Sequence, residues 1–430
     1  MSMKYVHPAD QLVMFMKRIY DRGLTTMSGG NLSIKDSDGN VWITPAGVDK
    51  GNLTRDDIIL IRPDGTIEGR HRPSSEMPFH LDVFKMRPDL HAVLHAHPPA
   101  LVAFSIIRRE PNLDLLPTVR KVCPTLKIAK YGVPGSTELA DKIGSVFAEG
   151  YDVAILENHG VCIGADDMFT AFQRFETLNY SCELEILANK IGNIRSLPEA
   201  ETQKHWTTDH EKLDDFIPRV ISSEEQAARR DMITLIRRSY TMGLFTATHG
   251  TYSVRLSDGS FIITPFGLDR AYLTEDDLVR IKGGMKELGK IPSRAVHFHE
   301  EVYRQNKDVG AVLLAHPVNA MAFAVTDSVF DPRTIPESYI MLRDVIRIPY
   351  ADMYGNPEKV AGMFSDVVQA MIVDNDSVVV TGSSLLNAFD RLEVMELTAH
   401  SIINSIGLDK IVHITDQEIA DLKEAFNLPG

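Results

Sequence analysis

ITPAGVDKGNLTRDDII, residues 43–59, is answered about 220 residues later by ITPFGLDRAYLTEDDLV, residues 263–279, with nine identities in seventeen positions. AVLHAHPPALVAFS (92–105) pairs in the same way with AVLLAHPVNAMAFA (311–324), eight in fourteen, and GLTTMSGGNLSI (23–34) with GLFTATHGTYSV (243–254). A period this long is several times the roughly 20–50 residues of a solenoid repeat. The chain therefore reads as one whole domain written twice.

The boundary follows from composition. After the helical run AFQRFETLNYSCELEILANKI comes a polar stretch, GNIRSLPEAETQKHWTTDHEKLDDFIP, with little apolar periodicity. EEQAARRDMITLIRRSYTMGL then restarts the helix that opens the first copy. This predicts a first domain over 1–195, a linker over 196–222 and a second domain over 223–430. The polar stretch also has the makings of an arm packed through Trp206 and Phe216. Within each copy, helices interleave with short strands such as NLSI, VWITP, AVLHAH and DVAILEN, a pattern that predicts a layered α/β or α+β domain. Sheet direction stays open at this stage.

The 430 residues carry 45 Lys+Arg against 59 Asp+Glu, a net charge of −14. That balance disfavours a nucleic-acid surface, which demands clustered cations, and attachment to an anionic membrane surface. No stretch reaches the roughly 20 apolar residues of a membrane span. The amino-terminal run MSMKYVHPADQLVMFMKRIY lacks a signal-peptide core and reads as an amphipathic helix. Cys123, Cys162 and Cys182 show no paired metal spacing and are expected to be buried thiols in a reducing compartment. A cytoplasmic address is the expectation.

Five segments carry chemistry. HAVLHAHPP holds His91, His95 and His97. On a strand, His95 and His97 share a face about 6–7 Å apart and can chelate one metal, although two hydrogen-bonded surface histidines would look the same. ENHG (Glu157, Asn158, His159, Gly160) ends the apolar run DVAIL, so His159 sits where a buried strand gives way to a loop. It is either a third ligand or an ordinary turn histidine. PSSE places Ser74, Ser75 and Glu76 at a helix start, as an anion site or as a helix cap. SGGN and ITPAG supply Gly30, Asn31, Ala46 and Gly47, small residues that let backbone amides approach an anion or simply turn the chain.

In combination, SGGNLS … ITPAG … PSSE … HAH … ENHG resembles the class II aldolase/adducin family, and in particular its L-fuculose 1-phosphate and related sugar-phosphate aldolases. The resemblance covers about residues 5–190, and the second copy more weakly. It implies a three-layer α/β/α domain around a central, mostly antiparallel sheet. It also implies one divalent ion, zinc above all, held by His95, His97, His159 and Glu76, with Glu76 doubling as the catalytic acid/base. Phosphate and ketose contacts would fall on Gly30, Asn31, Ala46, Gly47, Ser74 and Ser75. The implied reaction is retro-aldol cleavage of a phosphorylated ketose to dihydroxyacetone phosphate and an aldehyde. Such chemistry suits a Lewis acid beside a proton-moving carboxylate, with a phosphate pocket of amides and hydroxyls and no dedicated lysine. Related epimerases carry aspartate where this chain has Glu76. One departure stands out: the tyrosine by which such aldolases protonate the leaving oxygen falls near Leu116, and Tyr131 is about fifteen residues later. Epimerisation, decarboxylation or an adducin-like scaffold role are the alternatives, and a homo-oligomer, such as a dimer of tandem chains, is expected.

Between the copies, Asn31 faces Thr251, Ser75 faces Arg294, Glu76 faces Ala295 and His95 faces Leu314, while His97 keeps His316. Set against VVTGSSLLN, His159 has no counterpart, and the second copy reads as catalytically empty. His297 and His299, two apart on a helix, read as surface histidines.

Overall fold

Strands whose every residue is buried need cover on both faces, and the central strands of the first domain are of this kind. In the computed structural model, which describes residues 5–206, 208–218 and 220–428, contacts divide the chain into two units. These are Met1–Leu113 with Thr118–Glu183, and Asp114–Pro117 with Leu184–Gly430. The first contains β1 (Asn31–Lys35), β2 (Val41–Ile43), β3 (Ile59–Ile61), β4 (Ile67–Glu68), β5 (Ala92–Ala96), β6 (Lys127–Ala129), β7 (Val153–Leu156) and β8 (Gly160–Ala165). They form one sheet in the order β4-β3-β2-β1-β5-β8-β7-β6. Every neighbouring pair is antiparallel except β6 with β7.

The Met77–Met86 and Thr137–Ala148 helices bury Phe79, Val83, Ile143 and Phe147 with Ile43, Val93 and Leu156 of the sheet. The Pro8–Asp21 and Pro99–Ile107 helices also touch the sheet, and Phe15 of the former meets Phe172 at 5.2 Å. Register gathers the candidate residues. Asn31 opposes His95, and His95 opposes Cys162. The start of β1 and the ends of β2 and β5 therefore lie beside the β7–β8 turn, at one end of the sheet.

The second unit repeats this layout with β10 (Thr251–Arg255), β11 (Phe261–Ile263), β12 (Val279–Lys282), β13 (Met285–Glu287), β14 (Ala311–Ala315), β15 (Val345–Ile348), β16 (Ala370–Val373) and β17 (Ser377–Gly382). Its sheet runs β15-β16-β17-β14-β10-β11-β12-β13-β9. The extra strand β9, Asp215–Phe216, pairs parallel with β13. The stretch expected as a linker thus carries a helix, Glu199–His205, and a sheet strand. Phe216 lies at the sheet edge in β9, and the Trp206 ring lies 4.3 Å from the Arg294 guanidinium. Among the described residues, no helix is long and apolar enough to cross a membrane. All three cysteines are buried, and none is in a disulfide.

Candidate active site

His95 is the penultimate residue of β5, and His97 lies just past the strand's end, its ring 4.6 Å from that of His95. His159 enters from the β7–β8 turn, where Asn158 takes a left-handed conformation (φ 56°) and Glu157 is anchored by Lys130 at 3.0 Å and by the Tyr131 amide at 3.0 Å. The ring centroids lie 4.6 Å (His95–His97), 4.9 Å (His95–His159) and 4.9 Å (His97–His159) apart. One nitrogen from each falls within 4.8 Å of the others. Glu76 faces the group, with Oε2 3.1 Å from His95 Nε2 and Oε1 3.6 Å from His159 Nε2. His91 lies outside the cluster, exposed before β5, with Nδ1 3.2 Å from the Asp89 carbonyl.

Hydrogen bonding sets the ligand atoms. His95 Nδ1 donates to the Val161 carbonyl at 2.9 Å, which turns Nε2 toward the centre. His97 Nε2 stands 2.9 Å from that atom. Burial, reinforced by His95, pushes His97 down to about 3 and His159 down to about 4, so both imidazoles are neutral and able to bind a cation. Burial opposes charge on Glu76, but His95, Asn31 and His159 outweigh it and hold the carboxyl well below its usual range. Glu76 Oε1 and His159 Nδ1 are buried without hydrogen-bond partners. Three imidazole nitrogens and an unpaired carboxylate oxygen, gathered in one cluster, fit a divalent ion, zinc-like in its donor set.

Glu76 is the N-cap residue of the Met77–Met86 helix yet makes no capping bond, so its carboxylate is free for the site. Its orientation comes from a buried chain that sequence reasoning missed. Ser33 Oγ meets His80 Nδ1 at 2.6 Å, His80 Nε2 meets Asn31 Oδ1, and Asn31 Nδ2 donates to Glu76 Oε2 at 2.9 Å. The signal was available, since Glu76 and His80 are four apart on one helix face.

A cavity of about 230 Å³ opens beside the cluster, lined by Ser28, Gly30, Asn31, Ala46, Gly47, Lys50, Ser74, Ser75, Glu76, His97, Pro134 and His159 among others. Each residue expected at the substrate lines it. Gly30 is required there, because at φ 71° any Cβ would stand 3.0 Å from the His95 carbonyl. The expectation of a pocket without a lysine is corrected: Lys50, 1% exposed, lines it and donates to the Pro45 carbonyl. Burial lowers its pKa to about 8.

The second unit corrects two further expectations. Ala96 pairs with Val161, and Ala315 pairs with Val378. The ENHG turn therefore corresponds to residues 374–377, Asp-Asn-Asp-Ser, and Asn375 repeats the left-handed turn of Asn158 (φ 52°). His159 does have a counterpart, Asp376; the shared feature is turn geometry, and identity does not reveal it. His299 is no surface histidine, being fully buried with Nδ1 2.7 Å from Ser253 Oγ. Leu314, opposite Thr251, occupies the place of His95.

The model of the Class II Aldolase and Adducin N-terminal domain matches residues 10–186 and again 230–403. Curated relatives align with a little under half of this chain, at nearly their own full length. The 5-deoxy-D-ribulose 1-phosphate aldolase of Bacillus thuringiensis serovar kurstaki is 30% identical over 197 residues, 45% of this chain and 91% of that protein. The L-fuculose phosphate aldolase of Methanococcus maripaludis is 31% identical over 182 residues, 42% and 97%. The 3-oxo-tetronate 4-phosphate decarboxylase of Haemophilus influenzae is 29% identical over 199 residues, 45% and 92%. With two matched regions spanning most of its length and a histidine–glutamate cluster beside a small polar cavity in the first, the chain belongs to the class II aldolase and adducin N-terminal domain family.

Proposed function

We propose that the first domain, with 1–195 as its span, is a metal-dependent lyase that cleaves a small phosphorylated ketose to dihydroxyacetone phosphate and an aldehyde. The observation that carries this is the convergence of His95, His97, His159 and Glu76 at the mouth of the cavity reaching Ser74 and Ser75. These four residues would hold the divalent ion, zinc being the ion best matched to three imidazoles and a carboxylate. Such an ion supplies Lewis-acid stabilisation of the negative charge that builds on the ketose oxygens as the carbon–carbon bond breaks.

The chain's own groups do the rest. Ser74 and Ser75 offer hydroxyls to the phosphate, and the backbone at Gly30, Ala46 and Gly47 lines the same cavity. Lys50 adds a cation on that side. Asn31 holds Glu76 by its amide; the Glu76 carboxylate takes the proton that the ketose hydroxyl releases as the carbon–carbon bond breaks and returns it to the carbon that has lost its aldehyde partner. In this reading the second domain, 223–430, is catalytically empty, and the protein works in the cytoplasm as a homo-oligomer.

Metal analysis of the purified chain, with a dihydroxyacetone phosphate-dependent condensation assay, tests the proposal. Glu76→Gln is expected to lower kcat by at least about 100-fold, the lower range for a general acid–base group; unchanged turnover would overturn it. A second reading, decarboxylation or epimerisation of a related sugar phosphate, is favoured by one observation. Among the described residues lining the cavity there is no tyrosine, Leu116 being buried and Tyr131 52% exposed. Carbon dioxide as product would select decarboxylation.

A further inference from the structure

Where the first domain gathers metal ligands, the second gathers hydrogen-bond donors. Ala295 stands in place of Glu76, Leu314 in place of His95, His249 in place of Gly29 and Arg294 in place of Ser75. Only one carboxylate, Asp376, occupies a former ligand position. The Arg294 side chain is 10% exposed and lies between two rings, 4.3 Å from the centroid of Trp206 and 3.9 Å from that of Tyr354. Its Nη2 is 3.8 Å from Asp376 Oδ1, beyond hydrogen-bonding distance, and its Nη1 is buried with no hydrogen-bond partner.

Asp376 is already engaged by the Tyr354 hydroxyl at 3.0 Å and by Ser377 Oγ at 2.8 Å. Its neutralisation of Arg294 is therefore partial, and burial pushes the carboxyl toward its uncharged form against the pull of Arg294. A second guanidinium, Arg270, is 2% exposed nearby and spends its hydrogen bonds on the carbonyls of Thr248, His249, Gly250 and Leu268. Burial and these two cations keep His316 neutral, down at about 3, and His316 Nδ1 is likewise buried and unpartnered.

A buried cation with an open donor is costly unless an anion meets it. The surroundings are built for one. Ser293 Oγ, paired with Thr251 Oγ1, stands at the position of Ser74, just ahead of the Val296–Gln305 helix. The amide end of a ten-residue helix adds its own attraction for negative charge.

We propose that the second domain has exchanged its metal centre for an oxyanion site, in which Arg294, His316 and Ser293 bind a phosphate group, free or esterified. Arg294 Nη1 and His316 Nδ1 are the open donors and Ser293 adds a hydroxyl, whereas a cation would find a single carboxylate. Trp206, on the arm that precedes the domain, covers the bound group.

The chain has two tryptophans, Trp42 and Trp206, so Trp42→Phe leaves one reporter, stacked on Arg294. In that full-length background, inorganic phosphate titrated at constant ionic strength is expected to change Trp206 emission with saturation. Arg294→Gln should raise the half-saturating concentration at least about 10-fold, as loss of a charged hydrogen bond requires. Asp376→Asn, which removes the competing carboxylate, should lower it. Ser74→Ala with Ser75→Ala, which disables the first domain's cavity, should leave the Trp206 response intact. Glycerol phosphate binding more tightly than inorganic phosphate would identify an ester as the occupant, and the reverse order the free ion. A response linear in phosphate, one lost with Ser74 and Ser75 but kept in Arg294→Gln, or one weakened by Asp376→Asn would overturn the site.

Discussion

Replacing His80 by Phe tests whether the buried chain behind Glu76 aims the carboxylate, because the second domain supplies a matched control. His80 is fully buried and bridges Ser33 Oγ to Asn31 Oδ1. Phenylalanine fills similar space but strands both oxygens. Each stranded buried group costs about 1–3 kcal/mol, so a loss of about 2–6 kcal/mol in unfolding free energy is expected. Asn31, no longer held, is free to turn its amide away from Glu76, and an outer-shell change of this kind lowers metal affinity by about 10–100-fold. At the equivalent place His299 bonds Ser253 at 2.7 Å, but its Nε2 has no partner, since Thr251 has replaced Asn31. Ser253 Oγ retains the Tyr303 hydroxyl at 2.7 Å. His299→Phe should therefore cost about 1 kcal/mol or less and leave metal affinity untouched. Denaturant unfolding and chelator competition on the full chain measure the two quantities. If His80→Phe keeps the metal affinity of the parent, or if His299→Phe lowers it equally, the chain does not position Glu76.

Three other outcomes follow from the same geometry. Gly160→Ala would set a Cβ 2.5 Å from the Ala96 carbonyl and 2.7 Å from His97 Cδ2; a stability loss of about 1–3 kcal/mol with weakened metal binding is expected, checked by thermal unfolding and metal titration, and wild-type values would show that the turn yields. His80, His299 and His316 all have pKa values lowered by burial to about 3. Their unfolded forms accept protons first, so stability is full above about pH 6.5 and falls as pH drops toward 3, at up to about 1.4 kcal/mol per unit for each histidine. A metal-stripped chain whose unfolding free energy is flat from pH 7 to about pH 4 would contradict that burial. Chelation should lower the melting temperature of the first domain and leave the second unmoved, which differential scanning calorimetry resolves as separate shifts.

The short strands were legible from their apolar runs, whereas sheet direction and the proposed ligand set rested on the resemblance carried by the five motifs in order; read alone, His159 was a third ligand or a turn histidine. Asn31, Gly47, His97 and His159 stand at strand starts, ends or turns, and antiparallel pairing brings all of those to one end of the sheet. Side chains that act through an intermediary left no such mark. His80 reads as one helical residue among many until Asn31 is seen to link it to Glu76, and Lys50 drew no notice until its burial and its bond to the Pro45 carbonyl were known.

The harder failure concerns the β16–β17 turn. Matching by identity slid VVTGSSLLN against ENHG, because the turn had kept its shape and changed its letters: Asn158 and Asn375 share a left-handed backbone, while His159 has become Asp376. Backbone conformation at such a turn is tied to the register of two strands, and a slip of one residue would turn a fully buried strand's side chains onto the wrong face. Side-chain chemistry at its tip carries no such constraint. The second copy was thus free to replace Glu76 by Ala295, His95 by Leu314 and His159 by Asp376, keeping only the histidine at 316, while retaining the scaffold that displays them. The positions it refilled with Arg294, His249 and Asp376 are the first domain's site positions, so the change in the second domain is a change of ligand charge on an unchanged frame.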